Sequence, residues 1–460
     1  MKFLDREEER ERLTRRFGSE TGSFCCLYGR RRCGKSRLLR ETLPVEHAVY
    51  HVADQMEAAL QRRRLATDIS LLIPGFERVE YPDWSALFDR WCEAAPAGAC
   101  LILDEFPYLV ISSPEIPSIL QRLVDYAAGR PLHTVICGSS QRMMQGLVLA
   151  SSAPLYGRAK EILKIKPLEF GWLTKVFPKA SAQELLERFS VWGGVPRYWE
   201  LAAEFKTNDE AIQTLILSPQ GVLHNEPRHL LVDDMTDIVQ ASSILTVVGQ
   251  GCHRISEIAA RLGKPATSIA RPVAKLLELG LVVREIPFGA DVRSGKKSIY
   301  RLADPFLAFW FRFVQPNRSL LEGASVSAVY RNIRPSFLQH TSEIWEMLAR
   351  RSVPRLPIAG QEWGIAQRWW GGGSVSGQPM ELDVVAESMD GEVLLVGEVK
   401  LTATADEVRR IHRRLLVKAT DLPFAKHYQR IETVVFCAQQ NGTQDDAGMV
   451  GILDLLRVMV

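Results

Sequence analysis

The chain has 460 residues, 57 Lys and Arg against 54 Asp and Glu, a net charge of +3, and 46% hydrophobic residues. That length predicts roughly three domains of ordinary soluble composition, with no run of about 18 apolar residues to span a membrane. The small net charge neither demands nor excludes nucleic acid, so any basic patch must be local.

The opening Met-Lys-Phe-Leu-Asp-Arg-Glu-Glu mixes acids and bases and lacks the apolar core of a signal peptide. Eight cysteines, at 25, 26, 33, 92, 100, 137, 252 and 437, form no CxxC, and Cys25 and Cys26 fall in an apolar run. They predict reduced thiols in a cytoplasmic protein rather than disulfides or zinc ligands.

The first part alternates short apolar runs with helical patterns, which predicts an α/β fold with a parallel sheet wrapped by helices. The run Phe24–Tyr28 leads into Gly29-Arg30-Arg31-Arg32-Cys33-Gly34-Lys35-Ser36, a GxxxxGK[ST] loop, and a helix follows over about 35–41. Strand, loop and helix in that order are what a phosphate-binding loop requires. Its glycines turn backbone N–H groups toward the phosphates of ATP, and the helix N-terminus adds partial positive charge. Lys35 would reach the β- and γ-phosphates and Ser36 would ligate Mg²⁺; Arg37 completes the set assigned to the nucleotide. A second run, Cys100-Leu-Ile-Leu, ends in Asp104 and Glu105. Asp104 is placed to hold the Mg²⁺ shell and Glu105 to take a proton from the attacking water. A third run, Thr134–Cys137, ends in Gly138-Ser139-Ser140, where Ser139 either orients water beside the second strand or simply caps the next helix. From about 163 to 217 the pattern becomes mainly helical, as a lid would.

These residues resemble the archaeal-type ATPase family of the AAA-like and STAND group. Phe3-Leu4-Asp5-Arg6-Glu7 with Glu9 resembles its FxxRExE start, Tyr28 through Ser36 its YGRRRVGKT loop, Pro154-Leu-Tyr-Gly-Arg158 its PLYGR element, and Gly193-Gly194-Val195-Pro196 its GGxP element. The match covers about residues 1–220, with Cys33 in place of the usual Val and Ser36 in place of Thr. It implies an ATPase whose Pro196 segment lies over the nucleotide from the lid. It also implies an arginine finger or sensor at Arg158, whose bland alternative is a surface arginine in a turn. A finger supplied by a neighbouring subunit would make the protein a homo-oligomer.

Residues 221–315 form a second predicted unit. Ile255–Gly263 reads as a short amphipathic helix, Thr267–Leu279 as another ending at Gly280, and Leu281–Pro287 with Lys297–Leu302 as two strands around a turn. Helix, turn, helix and hairpin predict a winged helix. Lys264, Ser268, Arg271 and Lys275 on the second helix, and Arg293, Lys296 and Lys297 on the wing, would meet DNA. A packing module with solvated basic residues is the alternative. Tyr300-Arg-Leu-Ala-Asp304-Pro305-Phe306-Leu-Ala-Phe-Trp310 resembles the passage that joins this unit to the family's C-terminal domain.

Residues 316–460 form the third unit. Glu381–Glu387 alternates, Met-Asp-Gly turns the chain, and Val393–Lys400 returns as a strand. Folding the arms together brings Asp383 near Glu398, with Lys400 two residues on and so on the same face. This Asp…Glu-x-Lys set resembles the PD-(D/E)XK nucleases, which implies a restriction-endonuclease-like domain of the DUF234 type. Asp383 and Glu398 would bind Mg²⁺ or Mn²⁺, Glu346 on the upstream helix would join them, and Lys400 would orient water. The residue before Asp383 is Leu rather than Pro. The whole chain thus predicts an ATP-driven DNA-processing protein with a metal-dependent nuclease. The rival reading is a STAND-like nucleotide-controlled switch whose C-terminal domain binds partners without cutting.

Overall fold

The computed structural model describes residues 2–44, 46–127, 129–235, 237–291, 293, 295, 297–323, 325–441 and 448–460. Lys296, assigned above to the wing, lies outside the described residues. The chain divides into two compact units, Lys2–Pro167 with Val232–Thr236, and Leu168–Leu231 with Asp237–Val460.

The first unit runs α1 (Glu7–Phe17), β1 (Ser23–Tyr28), α2 (Lys35–Thr42), β2 (Ala48–Val52), α3 (Ala58–Ser70), α4 (Trp84–Ala94), β3 (Cys100–Asp104), α5 (Phe106–Ser112), α6 (Ile116–Ala127), β4 (His133–Gly138), α7 (Gln141–Val148) and β5 (Glu161–Lys164). All five strands are parallel, in the order β2-β3-β4-β1-β5. Strands β1, β3 and β4 are buried at every residue, which is why they read as unbroken apolar runs rather than alternating ones. The register sets Tyr28 beside Gly138 and Val52 beside Asp104, so the loops after β1, β3 and β4 leave from one edge of the sheet. Crevices outside the carboxyl ends of such strands are where ligands bind. Gly138 is required by packing, since a Cβ there would lie 2.7 Å from the Pro107 Cδ and 2.8 Å from the Met144 Sδ. The eight cysteines form no disulfide, and burial pushes the Cys25 and Cys26 thiols up to about 12.

Helix α1 is fastened to β5 by one carboxylate. Glu161, 4% exposed, accepts from Arg12 Nε at 2.7 Å and Arg16 Nε at 2.8 Å. Burial works to raise the Glu161 carboxyl, but the hydrogen bonds and charges of the two arginines outweigh it and hold the group below its ordinary value. A carboxyl depressed on folding adds stability above its unfolded pKa of about 4.3 and loses it as pH falls through the folded value. Glu161→Gln is therefore expected to lower Tm by several degrees at pH 7. That gap should close as the pH is taken well below 4, and calorimetry of the two proteins across this range checks it.

The second unit begins with short helices α8 (Leu173–Val176), α9 (Ala182–Trp192), α10 (Pro196–Ala202), α11 (Asn208–Ile212) and α12 (Glu226–Asp234), the last ending in the stretch that packs with the first unit. It continues through α13 (Ile238–Gly249), α14 (Ile255–Arg261), α15 (Ala266–Glu278), β6 (Val282–Glu285), β7 (Ile299–Leu302), α16 (Pro305–Phe309), α17 (Arg318–Gly323), α18 (Val326–Ile333) and α19 (Phe337–Ser352). It closes with β8 (Gln367–Gly372), β9 (Pro379–Glu387), β10 (Val393–Thr404), α20 (Ala405–Thr420), β11 (Arg430–Asn441), β12 (Met449–Val450) and α21 (Ile452–Val458).

The sequence groups the helical stretch up to residue 220 with the ATPase, whereas the packing groups Leu168–Leu231 with the C-terminal half. The cause is long-range. Gly171 N–H donates to the Met459 carbonyl at 2.7 Å, and His340 Nε2 donates to the Ser190 carbonyl at 2.7 Å. Strands β6 and β7 pair antiparallel, with α15 packed against β6. The C-terminal sheet has the order β12-β11-β10-β9-β8, antiparallel from β8 to β10 and parallel from β10 to β12. Helix α19 packs on β10, where buried Trp345 donates Nε1–H to the Lys400 carbonyl at 3.1 Å.

Candidate functional site

The loop after β1 has the geometry its residue types require. Gly29 takes φ 151°, and a Cβ there would lie 2.3 Å from the Ile165 carbonyl oxygen. Gly34 takes φ 94° with nothing within 4 Å of a Cβ, so its restriction is conformational and the space beside it is open. Arg32 also sits at positive φ, 67°. Lys35 is buried, and its ammonium donates to the Gly29 carbonyl at 2.9 Å and the Arg30 carbonyl at 3.2 Å. Those bonds hold the charge inside the loop, where a phosphate oxygen would replace carbonyls as its partner. Arg30 and Arg32 are half-buried, Arg31 is exposed, and Cys33 is buried as the loop's apolar contact with the core. Arg37 stacks its guanidinium over Phe3 at 5.7 Å from the ring centroid. This ties the opening segment to the start of α2.

Ser36 Oγ donates to Asp104 Oδ2 at 2.7 Å, so the hydroxyl and carboxylate named for the metal meet at one point. Two hard oxygen donors beside a phosphate loop fit Mg²⁺, which keeps several waters and takes few protein ligands. Bound there with ATP, Mg²⁺ would supply charge neutralisation of the phosphates, and Ser36 with Asp104 would hold it. Tyr50 was not foreseen. It reaches across from β2 and donates its hydroxyl to Asp104 Oδ2, and burial followed by the Asp104 charge drives its own pKa up. The only sequence signal was a tyrosine in a strand whose neighbour is the carboxylate strand, and strand order is not readable from the chain.

Glu105 follows at φ 50°, ψ 41°, a left-handed conformation uncommon for a non-glycine residue. Its Oε1 accepts from Ser139 Oγ at 2.7 Å. The helix cap expected of this region belongs to the next residue, since Ser140 accepts from the Met143 N–H. Ser140 also donates to Asp234 Oδ1 at 3.0 Å, a second partner that sequence reading missed. Ser139 is thus the residue that fixes the Glu105 carboxylate. Ser139→Ala is expected to lower kcat for ATP hydrolysis about ten- to a hundred-fold, the worth of a hydrogen bond to a charged group, with ATP affinity little changed. Steady-state kinetics with a parallel ATP-binding titration separate the two.

Arg158 is committed within the chain. It grips Asp125 of α6 with Nε at 2.8 Å and Nη2 at 3.1 Å, and gives Nη1–H to the Pro154 carbonyl. The structure therefore joins Arg158 to α6 and not to the residues of the phosphate loop. Pro196 occupies the first turn of α10, in the second unit, after Gly193 at φ 57°.

A second cluster lies in the C-terminal sheet. The register pairs Gly397 with Val384, so one step on Glu398 lies opposite Asp383. Glu346 of α19, Asp383, Glu398, Lys400 and Lys418 of α20 line one cleft of about 400 Å³. Asp383 Oδ2 accepts from the Val399 N–H at 2.9 Å. Burial raises the Asp383 carboxyl, and the Glu398 charge adds to it against the Val399 hydrogen bond. Glu346 is raised by burial and then by Asp383. For Glu398 burial is outweighed by Lys400, whose Nζ donates at 2.8 Å, with Lys418 and Arg414 at 3.8 and 3.5 Å, so this carboxyl is lowered. Asp383 and Glu346, each raised by burial and by a neighbouring carboxylate, make with Glu398 an acidic cleft that a hard divalent cation would relieve. Asp383 and Glu398 would hold such an ion. Among the described residues no group of three or more His, Cys, Asp or Glu is close enough to hold a metal. Lys418 and Arg414 were not foreseen, though their four-residue spacing places both on one face of α20.

The parallel sheet, the Lys35 loop and the Ser36–Asp104–Glu105 edge define a P-loop ATPase. Residues 3–200 match an ATPase domain found predominantly in Archaea, and residues 310–411 match DUF234, a family of archaeal and bacterial proteins of unknown function. The chain is 30% identical over 429 residues, 91% of its length, to an uncharacterised protein of Methanocaldococcus jannaschii, covering 92% of that protein. The fold is similar to a Walker-type ATPase of Pyrococcus abyssi, at 19% identity and TM-score 0.54 over 67% of this chain and 96% of that one. The chain belongs to the archaeal-type ATPase family with a DUF234 C-terminal domain. Among the described residues no helix is long and apolar enough to cross a membrane.

Proposed function

We propose that this ATPase is a DNA-processing protein whose C-terminal domain, residues 316–460, cleaves phosphodiesters with Mg²⁺ or Mn²⁺. The observation that carries the reading is the convergence of Asp383, Glu398, Lys400 and Glu346 on one cleft, with Lys418 beside them to meet a phosphate. Asp383 and Glu398 hold the ion, Lys400 orients the attacking water, and Lys418 with Arg414 draws in the DNA backbone. Residues 221–315 act as a winged helix that holds the duplex. Lys264, Ser268 and Arg271 stand exposed at the start of α15, the helix that would enter the major groove, and Arg293 and Lys297 are exposed between the wing strands. ATP turnover at Lys35, Ser36, Asp104 and Glu105 gates or powers that cleavage. In a homo-oligomer Arg158 would exchange Asp125 for a neighbour's phosphate.

The test incubates labelled single-stranded, duplex and forked DNA with the protein and Mg²⁺ or Mn²⁺, with and without ATP, beside Lys35→Ala and Asp383→Asn. Cleavage that needs Asp383 supports the reading, and its response to Lys35→Ala tells whether ATP controls it. One observation favours the second reading, a nucleotide-controlled switch of the STAND kind. Glu398 is already held by Lys400, Arg414 and Lys418, as in a site that has traded a cation for fixed charges. ATP hydrolysis with no cleavage of any substrate would move the assignment to that switch.

A further inference from the structure

A cavity of about 870 Å³ lies within the second unit, between the end of α13, the β6–β7 hairpin, the turn after α16, and α19. Its size falls in the range of small-molecule sites. Its apolar wall includes Val283, Leu302, Ile344 and Met347. Arg301, Arg312, Arg350 and Arg351 line it with Glu285 and Glu343, while Arg351 is engaged by Glu169 at 2.9 Å and Arg350 also by Glu346 at 3.8 Å. Arg312 donates to Glu343 at 3.1 Å and comes from Trp310–Val314, a π-helical turn of the kind found often at functional sites. Arg301 Nε and Glu285 Oε2 face each other at 3.5 Å, and each is a buried atom without a hydrogen-bond partner. His340 gives its Nε2–H to the Ser190 carbonyl and burial pushes it down to about 4, so it stays neutral and adds no charge near pH 7.

We propose that this cavity binds a small organic anion, a phosphate or carboxylate on an apolar or aromatic body. Arg301 and Arg312 take the anion, because guanidiniums match oxyanions in two-point geometry. Leu302, Ile344 and Met347 take the body. The same site reaches the cleft of the C-terminal sheet through one side chain. Arg350 faces Glu285 at 3.6 Å in the cavity, Glu346 at 3.8 Å, and the Asp383 carbonyl at 3.1 Å. An anion that draws Arg350 inward therefore alters the surroundings of Glu346 and Asp383. This second step rests on the cleft reading above, whereas binding rests on the cavity alone.

The probe is 1-anilinonaphthalene-8-sulfonate, an aromatic anion that fluoresces when it leaves water. It is titrated into the full chain with ADP and Mg²⁺ at saturation, so that the phosphate loop is filled. The expected result is one saturable site, weakened about ten-fold in Arg312→Gln and in Arg301→Gln. Met347→Trp, which fills the apolar wall, should abolish it. Thermal melts of each variant show whether it is folded. Displacement by AMP identifies a nucleoside phosphate as the ligand class, and displacement by octanoate an acyl carboxylate. Equal displacement by inorganic phosphate alone would overturn the proposal, as would a titration that folded variants leave unchanged. Binding that behaves as expected in a protein with no cleavage would fault the cleft reading and leave this site standing.

Discussion

Glu105→Gln is expected to lower kcat for ATP hydrolysis by about 10²–10⁴-fold, the usual worth of a positioned general base. ATP affinity should stay within a few-fold of wild type. The groups placed to hold the phosphates and the metal would be the loop backbone, Lys35, Ser36 and Asp104, and the Lys35 and Ser36–Asp104 bonds do not run through the Glu105 carboxylate. The substitution is nearly isosteric. A glutamine can still accept from Ser139 Oγ, as Glu105 Oε1 does at 2.7 Å, and its backbone N–H can still donate to Asp104 Oδ1 at 2.9 Å. What it cannot do is take a proton from water. Lys35→Ala should behave differently, losing affinity along with turnover, because the ammonium bridges loop and phosphate in the ground state as well. Turnover assays paired with binding of a fluorescent ATP analogue separate these outcomes. A Glu105→Gln enzyme that hydrolyses ATP at the wild-type rate would remove Glu105 from the chemistry.

The contrast between the two sites shows what a chain displays on its face. The phosphate loop is contiguous, so Gly29, Gly34, Lys35 and Ser36 declare it, and the runs before Gly29, Asp104 and Ser139 mark strands buried on both faces. The hairpin of β9 and β10 is equally local, so the sequence brings Asp383 near Glu398, and the register sets the two opposite each other. What stayed hidden depends on order and packing between distant segments. The chain places Ser139 beside the second strand but leaves open whether it orients water or caps a helix, and only the packed structure shows its hydroxyl on Glu105 Oε1. It does not say that β2 flanks β3, which brings Tyr50 to Asp104. Arg158 kept two readings open because its partner, Asp125, lies on a helix with no motif of its own. The Leu168–Leu231 helices show an apolar pattern but not which surface receives it. The contacts through Gly171 and Ser190 make that surface the C-terminal half.

On the proposed nuclease reading, Asp383→Asn is expected to reduce metal-dependent DNA cleavage by about 10³-fold or more, since losing an ion's charge stabilisation costs several kcal/mol at the transition state. The variant keeps the side-chain shape and an oxygen to accept the Val399 N–H, so the β9–β10 pairing should survive. It removes one of the two half-buried negative charges that repel across the cleft, Asp383 and Glu398. Two measurements therefore move in opposite directions. Mn²⁺ affinity, read by calorimetry on the wild type and the variant, should fall with the lost carboxylate. Tm without metal should hold or rise by a few degrees, because a buried charge without a cation costs stability. A purely structural Asp383 would give the reverse pattern, with lower Tm and unchanged metal binding. Lys400→Met sharpens the distinction, because it removes the ammonium from Glu398 Oε1 and leaves both carboxylates in place. If Lys400 orients water, this variant should still bind Mn²⁺ and fail to cut. If Lys400 instead stands in for the cation at Glu398, its removal should raise Mn²⁺ affinity, and the cleft would then be a site whose metal has been replaced by a lysine.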